Sequence, residues 1–163
     1  MGDYPEHAKM AAVQFFRRLA FFRRPAPPPP GTRRGAASLA VIAGQLRDDL
    51  AAGRKDSDMW RLLYGFADDF RGSDPDGKRW LIAAEPALTG RGGLDAALAG
   101  MAEFFAAEAG QPAPAWVNGP SRFAVPWYFV ASAAYQHAYV LARTPVAFTR
   151  HGVFIAREAF DRA

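Results

Sequence analysis

Residues 38–163 predict a mainly α domain: four to five helices around one core, a proline- and aromatic-rich strap, and at most a minimal strand near the C-terminus. Three observations carry that expectation. Apolar residues recur at three- and four-residue spacing in successive runs between 38 and 109, the period of a helix with one buried face. Gly53, Gly72, Pro86 and Gly110 follow those runs, where helices characteristically stop. Beyond residue 110 the texture changes. Pro112, Pro114, Pro120 and Pro126 break the chain into turns while Trp116, Phe123, Trp127, Tyr128 and Phe129 arrive together.

Taken in order, Ser38 is placed to cap a helix whose face is Leu39, Ile42, Leu46 and Leu50. Asp56 or Ser57 is expected to cap the next, with Trp60, Leu63, Phe66 and Phe70 inside and Gly72 as its stop. Ser73-Asp74-Pro75 opens a short third helix carrying Trp80 and Leu81. Pro86 closes it, because the residue before a proline is pushed out of helical geometry. A loop, ALTGRGG, leads to a fourth helix from Leu94 to Ala109, with Leu94, Leu98, Met101 and Phe105 on one side. Residues 130–143 have the composition of a further helix. Thr144-Pro145 reads as a capping hydroxyl followed by proline at the first helical position, and Val153 to Ile155 as extended chain. No longer period recurs, so this is not a repeat array.

At 163 residues the chain matches one domain plus a tail. Residues 25–37, PAPPPPGTRRGAA, read as a proline-rich linker, which separates a tail at 1–24 from the helical domain at 38–163. The tail repeats Ala12, Phe15, Phe16, Leu19 and Phe22 at helical spacing, flanked by Arg17, Arg18, Arg23 and Arg24. That pattern suits an amphipathic helix on a partner, on the body, or on a nucleic-acid or anionic membrane surface; weakly ordered sequence with no dedicated role is the third reading. The arginines rule out a membrane span and fall where a secretory signal needs apolar residues. The overall charge of +4 is uneven. Residues 1–34 hold seven basic side chains, Arg33 and Arg34 included, against two acidic ones, while the rest of the chain is near neutral. A polyanion partner would therefore meet the tail.

The chain has no Cys, which excludes disulfides, thiolate metal sites and a Cys nucleophile. The expected compartment is cytoplasmic. His7, His137 and His151 lie far apart in sequence with no HExxH or HxH pattern, so no metal site and no cofactor is expected. His137 suits a core histidine bonded to backbone, and His151 the C-terminal end of a helix. The pairs Asp48/Asp49 and Asp68/Asp69 have acid–base chemistry, but adjacent helical residues diverge too far for one pair to chelate. Thr89–Gly93 (TGRGG) lacks the phosphate-loop and dinucleotide patterns and reads as a helix-entry loop. No GxSxG or other nucleophile–base pattern is present. What remains is the aromatic strap. It reads either as packing over the helices or as a recognition surface, with Trp116, Phe123, Trp127 and Tyr128 as anchors and Arg122 and Arg143 as polar contacts.

The runs AAEPALTG, LDAALAGMAEFFA, GQPAPAWV, SRFAVPWYF and RTPVAFTRHGVFI together resemble an uncharacterised family of small helical proteins common in high-GC actinobacteria. That family shares the patterns EP-x-x-TG, P-x-P-x-W, R-F-x-x-x-W-W-F and SP-x-x-F-x-x-R-G-[VI]-F. The resemblance covers about residues 82–157, more loosely 38–81, and its most specific part is Pro145, Phe148, Gly152, Val153 and Phe154. The chain departs from the pattern at Leu94 (Trp in the family), at Val125-Pro126 (a charged pair) and at His151 (Arg). The resemblance implies an antitoxin-like partner of a nucleotidyltransferase-like toxin, the product of a neighbouring gene, and carries over no catalytic residue. The function expected is thus a non-enzymatic protein-binding module acting through the strap. The alternative is a regulator that reaches nucleic acid or anionic membrane through Arg17, Arg18, Arg23, Arg24, Arg33 and Arg34.

Overall fold

One helix, α4 (Gly92–Glu108), forms the centre of the structure, a computed structural model that describes residues 26–130 and 133–161. Its sequence, GGLDAALAGMAEFFAAE, places small residues on every face, and eleven of its seventeen residues are buried. A helix buried all round needs close neighbours on all sides. Here those are α1 (Leu39–Ala51), α3 (Pro75–Ala83), the strap and α6 (Val146–Arg150). The sequence reading gave α4 a single inner face; the alanines between its large residues are buried too, because the strap and α6 close over them.

The remaining elements are amphipathic for local reasons. Ser38 caps α1, its hydroxyl oxygen accepting from the Val41 amide at 3.4 Å, and Leu39, Ile42, Ala43 and Leu46 turn inward. In α2 (Asp56–Arg71) Met59, Trp60, Leu63, Phe66, Ala67 and Phe70 are buried. Its cap position is Lys55, not Asp56 or Ser57. The Asp56 carboxylate is instead held by both terminal nitrogens of Arg91, at 2.6 and 2.8 Å. Gly72 ends α2 in a right-handed turn (φ −77°) rather than a left-handed one. Asp74 caps α3 by accepting from the Gly77 amide at 2.7 Å, with Pro75 in the first turn.

The second half differs more from its sequence reading. Residues 130–143 do not form one helix; α5 spans His137–Arg143 after a 3-10 turn at Ala134–Gln136. The reason lies in β1 (Tyr128–Phe129), which pairs in parallel with β2 (Val153–Phe154), Tyr128 opposite Val153 and Phe129 opposite Phe154. The Val130 amide continues the ladder to the Phe154 carbonyl at 3.1 Å, so the backbone is extended where helix was expected. The expected strand at Val153 is present; its partner strand was not anticipated. Thr144 does not cap α6. Its hydroxyl donates to the Val140 carbonyl at 2.7 Å and accepts from the Ile155 amide at 3.2 Å, while Pro145 takes the cap position. The fold is mainly α, with six helices among the described residues and this two-strand ladder near the C-terminus.

Residues 26–37, read as a spacer, lie against the body. The Trp80 indole donates to the Ala26 carbonyl at 2.9 Å, the Asp74 amide to the Gly31 carbonyl at 3.0 Å, and the Arg33 amide to the Ser73 hydroxyl at 3.0 Å. The amphipathic tail, with Arg17, Arg18, Arg23 and Arg24, lies outside the described residues. No helix among the described residues is long and apolar enough to cross a membrane.

At the centre of α4, a Cβ placed on Gly100 would lie 2.7 Å from Cδ1 of Phe148. Gly100→Ala should therefore lose about 1–3 kcal/mol to overpacking, against less than about 1 kcal/mol regained in helix propensity. Gly44→Ala, in α1 with open space around it, should gain about 0.5–1 kcal/mol. Urea unfolding of the two variants should show opposite signs. Arg71 clamps α2 to α4 by donating to both Glu108 oxygens at 2.9 Å. Those hydrogen bonds hold the Glu108 carboxyl below the usual carboxylate range. Its stabilisation is present at neutral pH and disappears as the pH falls through that lowered value. Since the pair is partly exposed, Glu108→Gln should cost less than about 1 kcal/mol at neutral pH. The gap to the unaltered chain should close in acid.

Candidate functional site

The strap is laid over α4 by two 3-10 turns, Ala115–Asn118 and Pro120–Arg122. Pro114 before the first turn and Pro120 at the start of the second deny the segment the donors for a longer helix. Its anchors face inward. Trp116 is half-buried, and its indole donates to the Ile82 carbonyl at 3.0 Å. Arg122, expected as a polar contact for a partner, is fully buried. Its guanidinium stacks 5.1 Å from the Trp116 ring centroid and donates to the Pro86 carbonyl and, at 3.3 Å, to Glu85. Phe123 is half-buried with its ring 4.9 Å from that of His151.

Between residues 124 and 128 the strap leaves the body. The Ala124 amide donates to the His151 carbonyl and the Tyr128 amide to the Gly152 carbonyl, both at 2.9 Å. Between these two fixed points Val125 is 91% exposed and Trp127 66% exposed, the Trp127 ring resting on its edge of the body 5.1 Å from Phe154. Tyr128 returns to the interior. Its ring stacks on Trp60 at 6.3 Å and its hydroxyl accepts from the Trp60 indole at 3.3 Å. Arg143 is exposed on α5, bonded to Glu158 at 2.7 Å and lying 5.5 Å from the Tyr139 ring centroid. Of the six residues expected to recognise a partner, Trp127 and Arg143 are thus the solvent-facing ones. Trp116, Phe123 and Tyr128 hold the strap down, and Arg122 serves the interior.

Beneath the strap is a polar cluster that only His151 foreshadowed. His151 is completely buried at the end of α6. Its Nδ1 lies 2.8 Å from the Arg122 carbonyl oxygen and its Nε2 2.9 Å from Oε2 of Glu103 on α4. Arg150 donates to the same Glu103 oxygen at 2.7 Å and also bonds Asn118. With no exposure and both ring nitrogens engaged, His151 has no free edge for a substrate. His137 stacks on Phe129, ring centroids 4.1 Å apart.

A groove missed at the sequence level runs beside β1. Tyr64, Val130, Tyr135, Tyr139, Val140 and Ile155 line a volume of about 510 Å³. Burial, with Tyr128 nearby, pushes the Tyr64 phenol up. The i, i+4 spacing of Trp60 with Tyr64 and of Tyr135 with Tyr139 was visible, but nothing in it told an outer wall from core.

The other candidate chemistry is accounted for by packing. Asp49 pairs with Arg54 at 3.1 Å and Asp69 with Arg33 at 3.7 Å. Among the described residues no group of three or more His, Asp or Glu is placed to hold a metal ion. In TGRGG, the Thr89 amide and hydroxyl both donate to Oδ1 of buried Asp95, at 2.7 and 2.9 Å. This loop is closed by its own helix and leaves the Thr89 N–H unavailable to an anion. No protein-family model, curated protein or solved structure matches the chain.

Because Asp95 is the partner of a buried backbone donor, Asp95→Ala should cost about 1–3 kcal/mol of stability, the penalty for an unsatisfied buried N–H. Asp95→Asn, which keeps an acceptor, should cost less. Thermal unfolding of the two variants checks the order.

Proposed function

We propose that the chain is a non-enzymatic protein-binding module, and that the loop from Val125 to Trp127 is its point of contact. One observation carries the reading: a tryptophan two-thirds exposed beside a valine almost wholly exposed, on a loop hydrogen-bonded to the body at both ends. Tryptophan dominates interface energetics when a partner buries it. A loop already fixed in place loses little conformational freedom on binding. Arg143, a short distance on in the chain and held by Glu158, adds a charged group on the exposed side of α5.

The resemblance in residues 82–157 implies as partner the product of a neighbouring gene, a nucleotidyltransferase-like toxin, and on that reading the chain is its antitoxin-like mask in the cytoplasm. Of the six arginines of the basic-tail reading, Arg33 and Arg34 lie among the described residues. Arg33 is paired with Asp69 and its side chain packs on Gly72.

The test is a pull-down of the tagged full chain from its host, with the neighbouring gene product as expected prey. Trp127→Ala should stay folded, within about 1 kcal/mol of the unaltered chain, as befits an exposed position. It should weaken partner binding by about 2 kcal/mol or more, roughly thirtyfold. Deletion of residues 1–25 should leave binding unchanged. Retained affinity in the folded Trp127 variant would sink the loop reading, and loss of binding on tail deletion would restore the alternative.

A further inference from the structure

We propose that His151 and Glu103 are the positioning pair for the Val125–Trp127 loop, and that the imidazole holds the loop firmly only while both of its nitrogens carry a proton. The proposal rests on the binding reading above for its functional meaning, but its geometry stands without a partner.

A backbone carbonyl only accepts, so Nδ1, 2.8 Å from the Arg122 oxygen, must carry a hydrogen. An ionised carboxylate also only accepts, and Oε2 of Glu103 already receives Arg150 at 2.7 Å while facing Nε2 at 2.9 Å. A neutral imidazole has one N–H for these two acceptors, whereas the imidazolium satisfies both. The charged groups around the ring are Glu103 from α4, Arg150 from α6, and Arg122, which turns its carbonyl to the ring and its guanidinium toward Glu85. Phe123 covers one face of the ring.

The ring itself meets the strap at one point, the Arg122 carbonyl, and the backbone carbonyls of residues 151 and 152 meet it at two more. The strap is tied to residues 151 and 152 through the Arg122 carbonyl, the Ala124 amide and the Tyr128 amide, which bracket the exposed Val125 and Trp127. Gly152 makes the approach possible. It sits at φ +70°, and a Cβ there would fall 2.7 Å from the Ala124 carbonyl oxygen. When the ring gives up its second proton, Nε2 turns a lone pair toward Oε2 of Glu103. The attraction that seats His151 on α4 becomes a repulsion, and the two backbone ties from residues 151 and 152 to the loop loosen as His151 shifts.

Nitrogen-15 NMR on the full-length chain tests this without a partner. The pH is raised until the His151 ring has lost its second proton, while amide exchange at Ala124 and Tyr128 is followed after correction for intrinsic base catalysis. At the acid end both ring nitrogens should be protonated. Exchange at the two amides should then rise about tenfold in step with the loss, the scale of one charge-assisted hydrogen bond. Glu103→Gln, whose amide can donate to a neutral Nε2 as well as accept, should flatten the step. A ring with one proton at the acid end, exchange that ignores the ring titration, or a Glu103→Gln profile like that of the unaltered chain would each overturn the proposal. The titration of the unaltered chain decides the matter by itself if the variant does not fold. Failure here with Trp127-dependent binding intact removes the clamp and keeps the binding reading; a clear titration step with no bound partner does the reverse.

Discussion

The close approach of α6 to α4 at Gly100 is the constraint on which the rest of the structure depends. The Phe148 ring sits where a side chain at residue 100 would be, and from there it stacks on Phe160 at 5.3 Å and meets Phe104 at 5.9 Å. Phe160 in turn touches Phe105 and Tyr64, so the aromatic layer reaches from α6 through α4 to α2. Tight packing of this kind transmits position, because side chains at crystal-like density have few other places to go. With Phe148 seated, residues 151–154 are placed to accept the strap.

The strap then meets the body through backbone as much as through side chains. Its carbonyl at 122 and amides at 124 and 128 all find partners on residues 151 and 152, and the ladder continues from β1 to β2. An irregular segment buried against a helix must satisfy its polar backbone somewhere. Here it does so on one short run of chain, which leaves the Val125–Trp127 tip to project. Exposure of Trp127 and burial of Arg122 are thus two results of one arrangement. The inner groups are held by Pro86, Glu85 and Trp116, and the outer ones are left uncovered by the described residues.

For the first four helices, periodicity and punctuation in the sequence were enough. Leu39, Ile42 and Leu46, or Trp60, Leu63, Phe66 and Phe70, declare a buried face because helical geometry puts them on one side whatever they pack against. Ser38 and Asp74 cap for an equally local reason, since a side-chain oxygen reaches amides two or three residues away. The extended chain at Val153 was legible as well. Local rules failed where a distant partner competed. Asp56 was drawn from the cap to Arg91, Thr144 to Ile155, and residues 128–130 to β2, each by a contact that no window of neighbouring residues contains.

The chain's own sequence therefore determined that it is mainly helical, where four of its helices begin and end, and that its aromatics gather after residue 110. Composition and short-range spacing settle those matters. Tertiary structure alone decided which of those aromatics face solvent. Trp116 and Trp127 are the same residue type in the same proline-broken segment, yet the indole of one is bonded to the Ile82 carbonyl while most of the other is in water. It also decided that His151, Glu103 and Arg122, separated by up to 48 residues, share one buried site. Both outcomes depend on how α4, α6 and the strap converge in space, and that convergence is set by packing across the whole domain.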